Sequence, residues 1–378
     1  MAFEWWDLRR DGRGAVRFYN ACAVFRSQHL LPAFVMRPLL ELSESGLYCP
    51  MGGFYVDPWQ PVGYAVITHA HSDHARPGSR RYLAAAEGLL VLRKRIGRDA
   101  AIETLEYGEP LSIDGVRVSL HPAGHILGSA QVRIEHRGQV AVVAGDYKLN
   151  PDATCPPFEP LRCHLFVSES TFGLPIYRWR PPEEAFAEIH AWWRGNQQRG
   201  RTSIVYAYSL GKAQRLLTGL DDAVGPLLVH GAVQRFLPAY VAAGVRLPPV
   251  QHADAETARA TLGRALVVAP PSAAGSRWLR KFGESSTALA SGWMQLRGMR
   301  RRRGVDRGFA LSDHADWDGL LVAIRATGAE EVWATHGYTT ALVRWLREQS
   351  LNARAVATQF EGEVDEEGQE IEGSERQP

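Results

Sequence analysis

Short apolar runs alternate along the middle of this chain with segments that repeat their apolar residues at helical spacing. The runs are rich in β-branched residues and are bounded by turn residues, which predicts strands. The predicted strands cover residues 62–68, 116–120, 131–135, 140–144, 164–168, 204–207, 266–269 and 331–335. This alternation is typical of a layered α/β protein.

Three segments predict the longer helices. Pro182 begins one of them, because proline suits the first turn and the two glutamates that follow favour the positive end of the helix dipole. Ile189 and Trp193 then recur at helical spacing, which predicts that they face the core. Two further helical patterns cover residues 316–326 and 340–349.

The two ends of the chain differ from its middle. Residues 1–35 scatter aromatic side chains among arginines without a clear period, and Met36 follows them directly. We expect translation to start at Met36, with an added N-terminal arm as the alternative. Residues 361–378 are acidic and nearly free of apolar side chains, so we expect them to be disordered.

Composition adds only broad limits. The chain has 378 residues, 45% of them hydrophobic and 22% charged, with a net charge of +2. These values are ordinary for a soluble globular protein of one or two domains, and any nucleic-acid surface must come from local patches. The four cysteines form no CxxC pair, and we find no uncharged apolar run long enough to span a membrane, so we expect a reducing, cytoplasmic setting.

The segment 69–74 carries the strongest chemical signal in the chain. It holds His69, His71, Asp73 and His74 directly after an apolar run. Imidazole and carboxylate are the side chains that hold zinc at catalytic sites. In extended backbone His69 and His71 project to one side, and Asp73 and His74 follow after a turn, so the spacing predicts a pair of metal ions.

Four later residues qualify as further ligands because each follows a strand-like run. They are His125, Asp146, His314 and His336. Strand ends that open into loops are where α/β proteins place their chemistry. Each residue alone is a weak candidate, but together with the segment 69–74 they predict one shared site.

These motifs, in this order, resemble those of the metallo-β-lactamase superfamily. The segment 68–74, Gly124-His125 and Gly145-Asp146 carry that resemblance. Glu169, His314 and His336, with the segment 208–214, resemble the motifs and cap of the β-CASP nucleases, the branch that contains Artemis and the mRNA 3′-end processing endonuclease. The segments 47–50 and 57–59 are similar to those of bacterial ligase-associated DNA exonucleases.

The resemblance implies an αββα sandwich of two mixed sheets with an inserted α/β β-CASP cap. The sandwich would be formed by residues 36–180 and 305–360, and the cap by residues 181–304. By resemblance the protein would bind DNA and act with a DNA ligase and a helicase.

The ligands can then be assigned to two divalent ions, zinc with manganese as the alternative. His69, His71 and His125 would bind one ion, and Asp73, His74 and His336 the other. Asp146 would bridge the two ions, and Asp57 would orient the ligands from behind.

His314 would act as general acid and Glu169 would orient its ring, so that both count with Asp73 as catalytic residues. Two alternatives stay open. Glu169 could form a plain salt bridge, and His314 and His336 could exchange roles.

Several residues are candidates for substrate binding. The basic cluster at 297–303 includes Arg300 and Arg301, and arginine clusters bind phosphates, although a solvated surface loop is the alternative. Ser209 and Lys212 open a predicted helix after a strand and could bind a phosphate. Ser291 could hold a terminal phosphate, and Trp293 could stack on a base or lie in the core.

The predicted function is a metal-dependent DNA exonuclease that hydrolyses phosphodiester bonds in repair or end processing, with two metals that activate a hydroxide. A ribonuclease that processes RNA ends is the alternative, because Artemis-like DNA nucleases tend to lack a histidine equivalent to His336. A small-substrate metallohydrolase, such as a thioester hydrolase, and a non-catalytic nucleic-acid-binding protein are disfavoured. The inserted cap argues against the former, and the complete ligand set against the latter.

Overall fold

The computed structural model describes residues 38–358 of the chain. The predictions for residues 1–35, for Met36 and for the tail 361–378 lie outside the described residues. The side chain of Arg300 in the basic cluster also lies outside them.

Six short strands open the described chain and form the first sheet. They are β1 (Glu41–Ser43), β2 (Gly46–Cys49), β3 (Phe54–Val56), β4 (Ala65–Val66), β5 (Tyr82–Ala85) and β6 (Ile102–Leu105). They lie in chain order, antiparallel from β1 to β3 and parallel from β3 to β6. After β5, a 3-10 turn (Ala86–Gly88) leads into helix α1 (Leu89–Ile96), whose Val91 and Leu92 pack on the outer face of this sheet.

The next five strands belong to a second sheet. They are β7 (Pro110–Ile113), β8 (Val116–Pro122), β9 (Ala130–His136), β10 (Gln139–Val143) and β11 (Leu165–Ser170). The first four are antiparallel neighbours, and β11 joins β10 in parallel. Asp114-Gly115 and Arg137-Gly138 make the two-residue hairpin turns, and all four have the positive φ that such turns require.

A third sheet follows, in which every strand pair is parallel. Its strands are β12 (Thr202–Tyr206), β13 (Leu227–Val229), β14 (Gln251–His252), β15 (Leu266–Ala269), β16 (Ser285–Ala290) and β17 (Arg307–Phe309). Its helices are α2 (Pro182–Gln198), α3 (Lys212–Thr218), α4 (Gly231–Gln234), α5 (Leu237–Ala242), α6 (Ala255–Ala260) and α7 (Arg297–Arg302), with 3-10 turns at Pro271–Ala273, Arg277–Phe282 and Gly292–Gln295. The strand order is β14-β13-β15-β12-β16-β17.

The chain then returns to the second sheet. Helix α8 (Trp317–Thr327) leads to β18 (Glu331–Gly337), and α9 (Thr339–Glu348) leads to β19 (Asn352–Ala355). Strand β18 pairs in parallel with β11, and β19 pairs with β18. The third sheet is therefore an insertion between two neighbouring strands of the second sheet.

Successive residues of a strand face opposite sides of its sheet, and the cores that they face define the layers. In β10, Val143 faces a core shared with the first sheet, whereas Val142 faces α8 and α9. With α1 on the outside of the first sheet, the order of layers is helix, sheet, sheet, helix, which is the expected αββα sandwich. The third sheet is covered on both faces, with Val205 in one core and Ile204 in the other.

The eight predicted strands are all present, and the bounds of seven agree with the sequence prediction to within two residues. Strand β4 is the exception, since only Ala65–Val66 of the predicted 62–68 is strand and the rest is loop. Trp193 and Ile189 of α2 lie in the core, as predicted. Strand β17 extends the third sheet to Phe309, beyond the predicted cap boundary at residue 304.

Within residues 38–358, none of the helices combines the length and the apolar character that crossing a bilayer requires.

Candidate metal centre

Four side chains from three separate segments bring one donor atom each to a common point. We name them the first donor group, and its members are His69, His71, His125 and Asp146. His71 Nδ1 lies 3.1 Å from His69 Nε2 and 3.1 Å from His125 Nε2. Asp146 Oδ2 lies 3.4 Å from His69 Nε2 and 3.8 Å from His125 Nε2.

A second donor group lies beside the first and contains Asp73, His74 and His336. His74 Nε2 is 3.6 Å from Asp73 Oδ2 and 3.5 Å from Asp146 Oδ2, so the Asp146 carboxylate faces both groups. The ring centroids of His74 and His336 are 5.2 Å apart. The structure thus brings together the seven residues that the sequence predicts as ligands.

The outer nitrogens of these histidines are held by other parts of the chain. His125 Nδ1 lies 2.9 Å from the Asp313 carbonyl oxygen, and His71 Nε2 lies 3.2 Å from the Leu210 carbonyl oxygen. Such contacts fix the ring orientation and leave the inner nitrogen as the donor to a metal.

Asp57 and Thr68 contact the outer nitrogens of His74 and His69. Asp57 Oδ2 lies 2.7 Å from His74 Nδ1, and it accepts a hydrogen bond from Thr68 Oγ1 at 2.5 Å. Thr68 Oγ1 in turn lies 3.1 Å from His69 Nδ1. Asp57 and His336 have φ values of 44° and 51°, which is a strained backbone region that non-glycine residues tolerate chiefly at functional sites.

The spacing of the donor atoms fits metal ions better than hydrogen bonds. Two atoms that each lie about 2.0–2.1 Å from a tetrahedral zinc ion are about 3.3 Å apart, close to the separations in the first donor group. His74 Nε2 is buried and makes no hydrogen bond within the described chain, although two carboxylates face it. Two nitrogen- and oxygen-rich groups that share a carboxylate fit a pair of divalent ions.

The protonation of the first donor group also fits this role. Burial lowers the pKa of His71 and of His125 to about 4 each. Burial, together with the nearby His74, also lowers the pKa of His69 well below its ordinary value. These rings are therefore neutral at pH 7, which is the form that binds a metal.

His314 and Glu169 form a buried pair next to the first donor group. His314 Nδ1 lies 2.9 Å from Glu169 Oε2, and the ring centroids of His314 and His125 are 4.6 Å apart. Burial raises the pKa of Glu169. Burial alone would lower the pKa of His314, but the nearby carboxylates of Glu169 and Asp146 have the larger effect and raise the pKa of His314 to about 10. The pair therefore keeps a proton at neutral pH, as a general acid requires.

The predicted phosphate-binding residues Ser209 and Lys212 are both buried. Helix α3 does begin at Lys212, but Lys212 Nζ lies 3.1 Å from Asp313 Oδ1, and both side chains are at most 2% exposed. The Ser209 hydroxyl is buried without a hydrogen-bond partner in the described chain. A substrate role for either residue stays a prediction.

The other predicted substrate-binding residues lie around the third sheet. The Ser291 hydroxyl accepts a hydrogen bond from Trp293 N at 3.3 Å and caps a 3-10 turn. Trp293 lies in a core cluster, which favours the core alternative over base stacking. Helix α7 carries Arg301, which is exposed, and Arg300, whose side chain is not described.

Sequence reasoning missed three contributors to this site. Thr68 and Asp313 adjoin predicted ligands in the sequence, so adjacency was the available signal. Leu210 acts through its carbonyl oxygen, for which the side chain gives no signal.

No known family profile matches the chain. Over 314 residues, it is 32% identical to a probable DNA ligase of Opitutus terrae, a match that covers 82% of this chain and 30% of that protein. Over 150 residues, it is 31% identical to endoribonuclease ysh-1 of Neurospora crassa, which covers 38% and 17% of the two chains. Over 127 residues, it is 32% identical to cleavage and polyadenylation specificity factor 73 of Drosophila melanogaster, which covers 32% and 18%.

The chain therefore spans less than a third of the length of these relatives. Among solved structures, a protein of unknown function from Enterococcus faecalis V583 matches with a TM-score of 0.53 over 79% of this chain and 80% of that one. At 13% sequence identity, this likeness supports the fold alone.

Proposed function

Because the chain belongs to the β-CASP branch of the metallo-β-lactamase superfamily, we propose that it is a metal-dependent nuclease that degrades DNA from its ends. One observation carries the proposal: seven donor side chains from distant segments converge beside the buried pair of His314 and Glu169. Phosphodiester hydrolysis needs both an activated water and a proton for the leaving oxygen.

The chain's own residues would divide the work. The first donor group would hold one divalent ion, and the second donor group would hold the other with help from the Asp146 carboxylate, which faces both groups. Zinc is the proposed metal. When bound, these ions would neutralise the charge on the phosphate and activate the attacking water.

His314 would donate its proton to the leaving oxygen of the phosphodiester. Glu169 would keep the ring in place through the contact at Nδ1, which accounts for a carboxylate that is 1% exposed. Asp57 and Thr68 would hold His69 and His74 in the orientation that points their inner nitrogens at the ions.

The length of the matches supports DNA as the substrate. The match to a relative named as a probable DNA ligase extends over 82% of the chain, whereas the endoribonuclease ysh-1 match covers 38%. By the same likeness we propose a role in DNA repair or end processing, beside a DNA ligase and a helicase, in the cytoplasm. RNA is the second candidate, since relatives named as endoribonucleases match the chain and it has His336 at the last motif.

The test uses the full chain on DNA and RNA of one sequence, labelled at the 5′ or the 3′ end, with zinc or manganese. We expect the labelled DNA to shorten from an end, and we expect about two metal ions per chain by elemental analysis. His69→Ala should abolish cleavage and lower the metal content, whereas His190→Ala on α2 should do neither. Faster cleavage of RNA would favour the second candidate, and cleavage of neither polymer would contradict the proposal.

A further inference from the structure

A basic groove lies between helix α1 and helix α5. Its volume is about 570 Å³, within the range of about 300–1,000 Å³ that ligand pockets occupy. The groove is lined by Leu90, Arg93, Lys94, Gly97, Arg98, Arg235, Pro238 and Ala239. Every charged side chain in this lining is basic, so the groove favours an anionic occupant.

The cations come from both walls of the groove. Arg93, Lys94 and Arg98 belong to α1 and the residues that follow it, and Arg235 lies just before α5. Lys94, Arg98 and Arg235 are exposed. Leu90 on the α1 wall is 48% exposed, so the groove also offers an apolar surface against which a sugar or a base can pack.

A second groove of similar size provides a contrast. It lies between α9 and β19 and has a volume of about 540 Å³. It contains Arg344, Arg347 and Glu348, and Arg344 is paired with Glu348 at 3.0 Å. The two grooves are therefore similar in volume, and the α1–α5 groove differs because all of its charged side chains are basic.

Both walls of the basic groove also reach the metal centre. On the α1 side, Arg95 Nε donates to the carbonyl oxygen of Ala70, which lies between the donors His69 and His71. On the α5 side, Ala239 packs in one cluster with Leu210, whose carbonyl oxygen contacts His71. Contacts on both walls therefore connect the groove to the residues that hold the donor groups in place.

We propose that this groove binds the phosphodiester backbone of the substrate strand beyond the bond that is cleaved. The proposal rests on the nuclease function for the identity of the polymer. Successive phosphates of one strand would contact Lys94 and Arg98 on one wall and Arg235 on the other. Such contacts give affinity that falls with salt and does not depend on base sequence.

The test measures binding without cleavage, so that it can fail separately from the proposed function. Single-stranded DNA of about 6 and about 20 nucleotides is titrated by fluorescence anisotropy against the full chain in EDTA, at several salt concentrations. The variant is Lys94→Glu with Arg235→Glu, one change on each wall. Arg344→Glu in the α9–β19 groove is the matched control, and circular dichroism checks that every variant is folded.

We expect the double variant to bind the longer strand about tenfold more weakly and to lose about 0.7 in the slope of log K against log salt for each contact removed. The control should bind like the unmodified chain. A second double variant, Lys94→Gln with Arg235→Gln, should bind the longer strand with an affinity between that of the first double variant and that of the unmodified chain. The proposal for the groove would be overturned if the double variants bound the longer strand with unchanged affinity, or if the control lost as much affinity as they do. That conclusion would hold even if the protein cleaves DNA. The expected losses would support the proposal for the groove even if no cleavage is found.

Discussion

Lys212 Nζ lies 3.1 Å from Asp313 Oδ1, in an ion pair that is buried on both sides. It joins helix α3 to the segment that carries His314. Burial raises the pKa of Asp313, but the Lys212 ammonium and the nearby histidines hold that pKa well below its ordinary value. Because the Asp313 carbonyl oxygen also contacts His125, the pair supports the first donor group from the inserted sheet.

Removing the Lys212 charge should therefore destabilise the protein. Lys212→Met removes the nearest cation from the buried Asp313 carboxylate and leaves it with His314 Nε2 at 3.9 Å, and breaking such a buried pair costs about 3–5 kcal/mol. Urea unfolding of the metal-free protein measures this loss. Lys94→Met, which removes an exposed lysine, is the control and should change the unfolding free energy by less than about 0.5 kcal/mol. Equal stability of the two variants would show that the buried pair contributes nothing.

The Glu169→Gln variant should lose activity at alkaline pH first. As the proposed general acid, His314 would act only when it is protonated, so activity should be present below its pKa and should be lost as the pH rises through it. The Glu169 carboxylate raises that pKa, so its removal should move the alkaline limb of the pH–rate profile down by on the order of one to two pH units. Glu188→Gln on the surface of α2 is the control, and an unmoved limb in Glu169→Gln would rule out this role for the pair.

The Thr68→Val variant should bind metal more weakly than the unmodified protein, although valine has nearly the same shape as threonine. It removes the hydroxyl that contacts both Asp57 and His69, and losing such a contact behind a ligand costs about 10–100-fold in metal affinity. Thr68→Ser keeps the hydroxyl and should retain most of that affinity. Competition with a chromophoric chelator gives the affinities, and equal values for the two variants would contradict the prediction.

The Gly124→Ala variant should be less stable than Gly138→Ala, although both glycines have positive φ. A Cβ at Gly124 would lie 2.2 Å from the Lys148 carbonyl oxygen, whereas one at Gly138 meets nothing within 4 Å. The backbone strain alone costs about 1–2 kcal/mol, and the clash adds about 1–3 kcal/mol. Urea unfolding measures both losses. Because Gly124 precedes His125, only Gly124→Ala should also lower the metal content.

The members of the two donor groups were predictable because each one is a histidine or aspartate in a recognisable motif beside a strand. The strands themselves were predictable where they are long and β-branched, as in β9 and β10. Strands such as β14, with Gln251 and His252 alone, carry too few residues for a pattern to show. The end of β4 could not be predicted either, since the apolar run continues where the backbone leaves the sheet to form the ligand loop.

The support behind the ligands was not predictable, because it depends on contacts between distant segments. The Asp313 carbonyl oxygen reaches His125 across 188 positions, and that contact uses backbone atoms that every residue has. Lys212 shows the same limit: its place at a helix start predicts a phosphate-binding residue, while its carboxylate partner comes from a segment 101 positions away (313 − 212).

The pairing of β11 with β18 has a consequence for synthesis. Ser170 donates to the carbonyl oxygen of Thr335, which is 165 positions later in the chain, and the whole third sheet is made in between. A nascent chain therefore exposes the open edge of β11 while the insertion emerges from the ribosome and folds. A polypeptide released before His336 has neither the strand that covers this edge nor a complete second donor group. Strand β18, which is translated after the whole insertion, thus completes both the pairing of β11 and the second donor group.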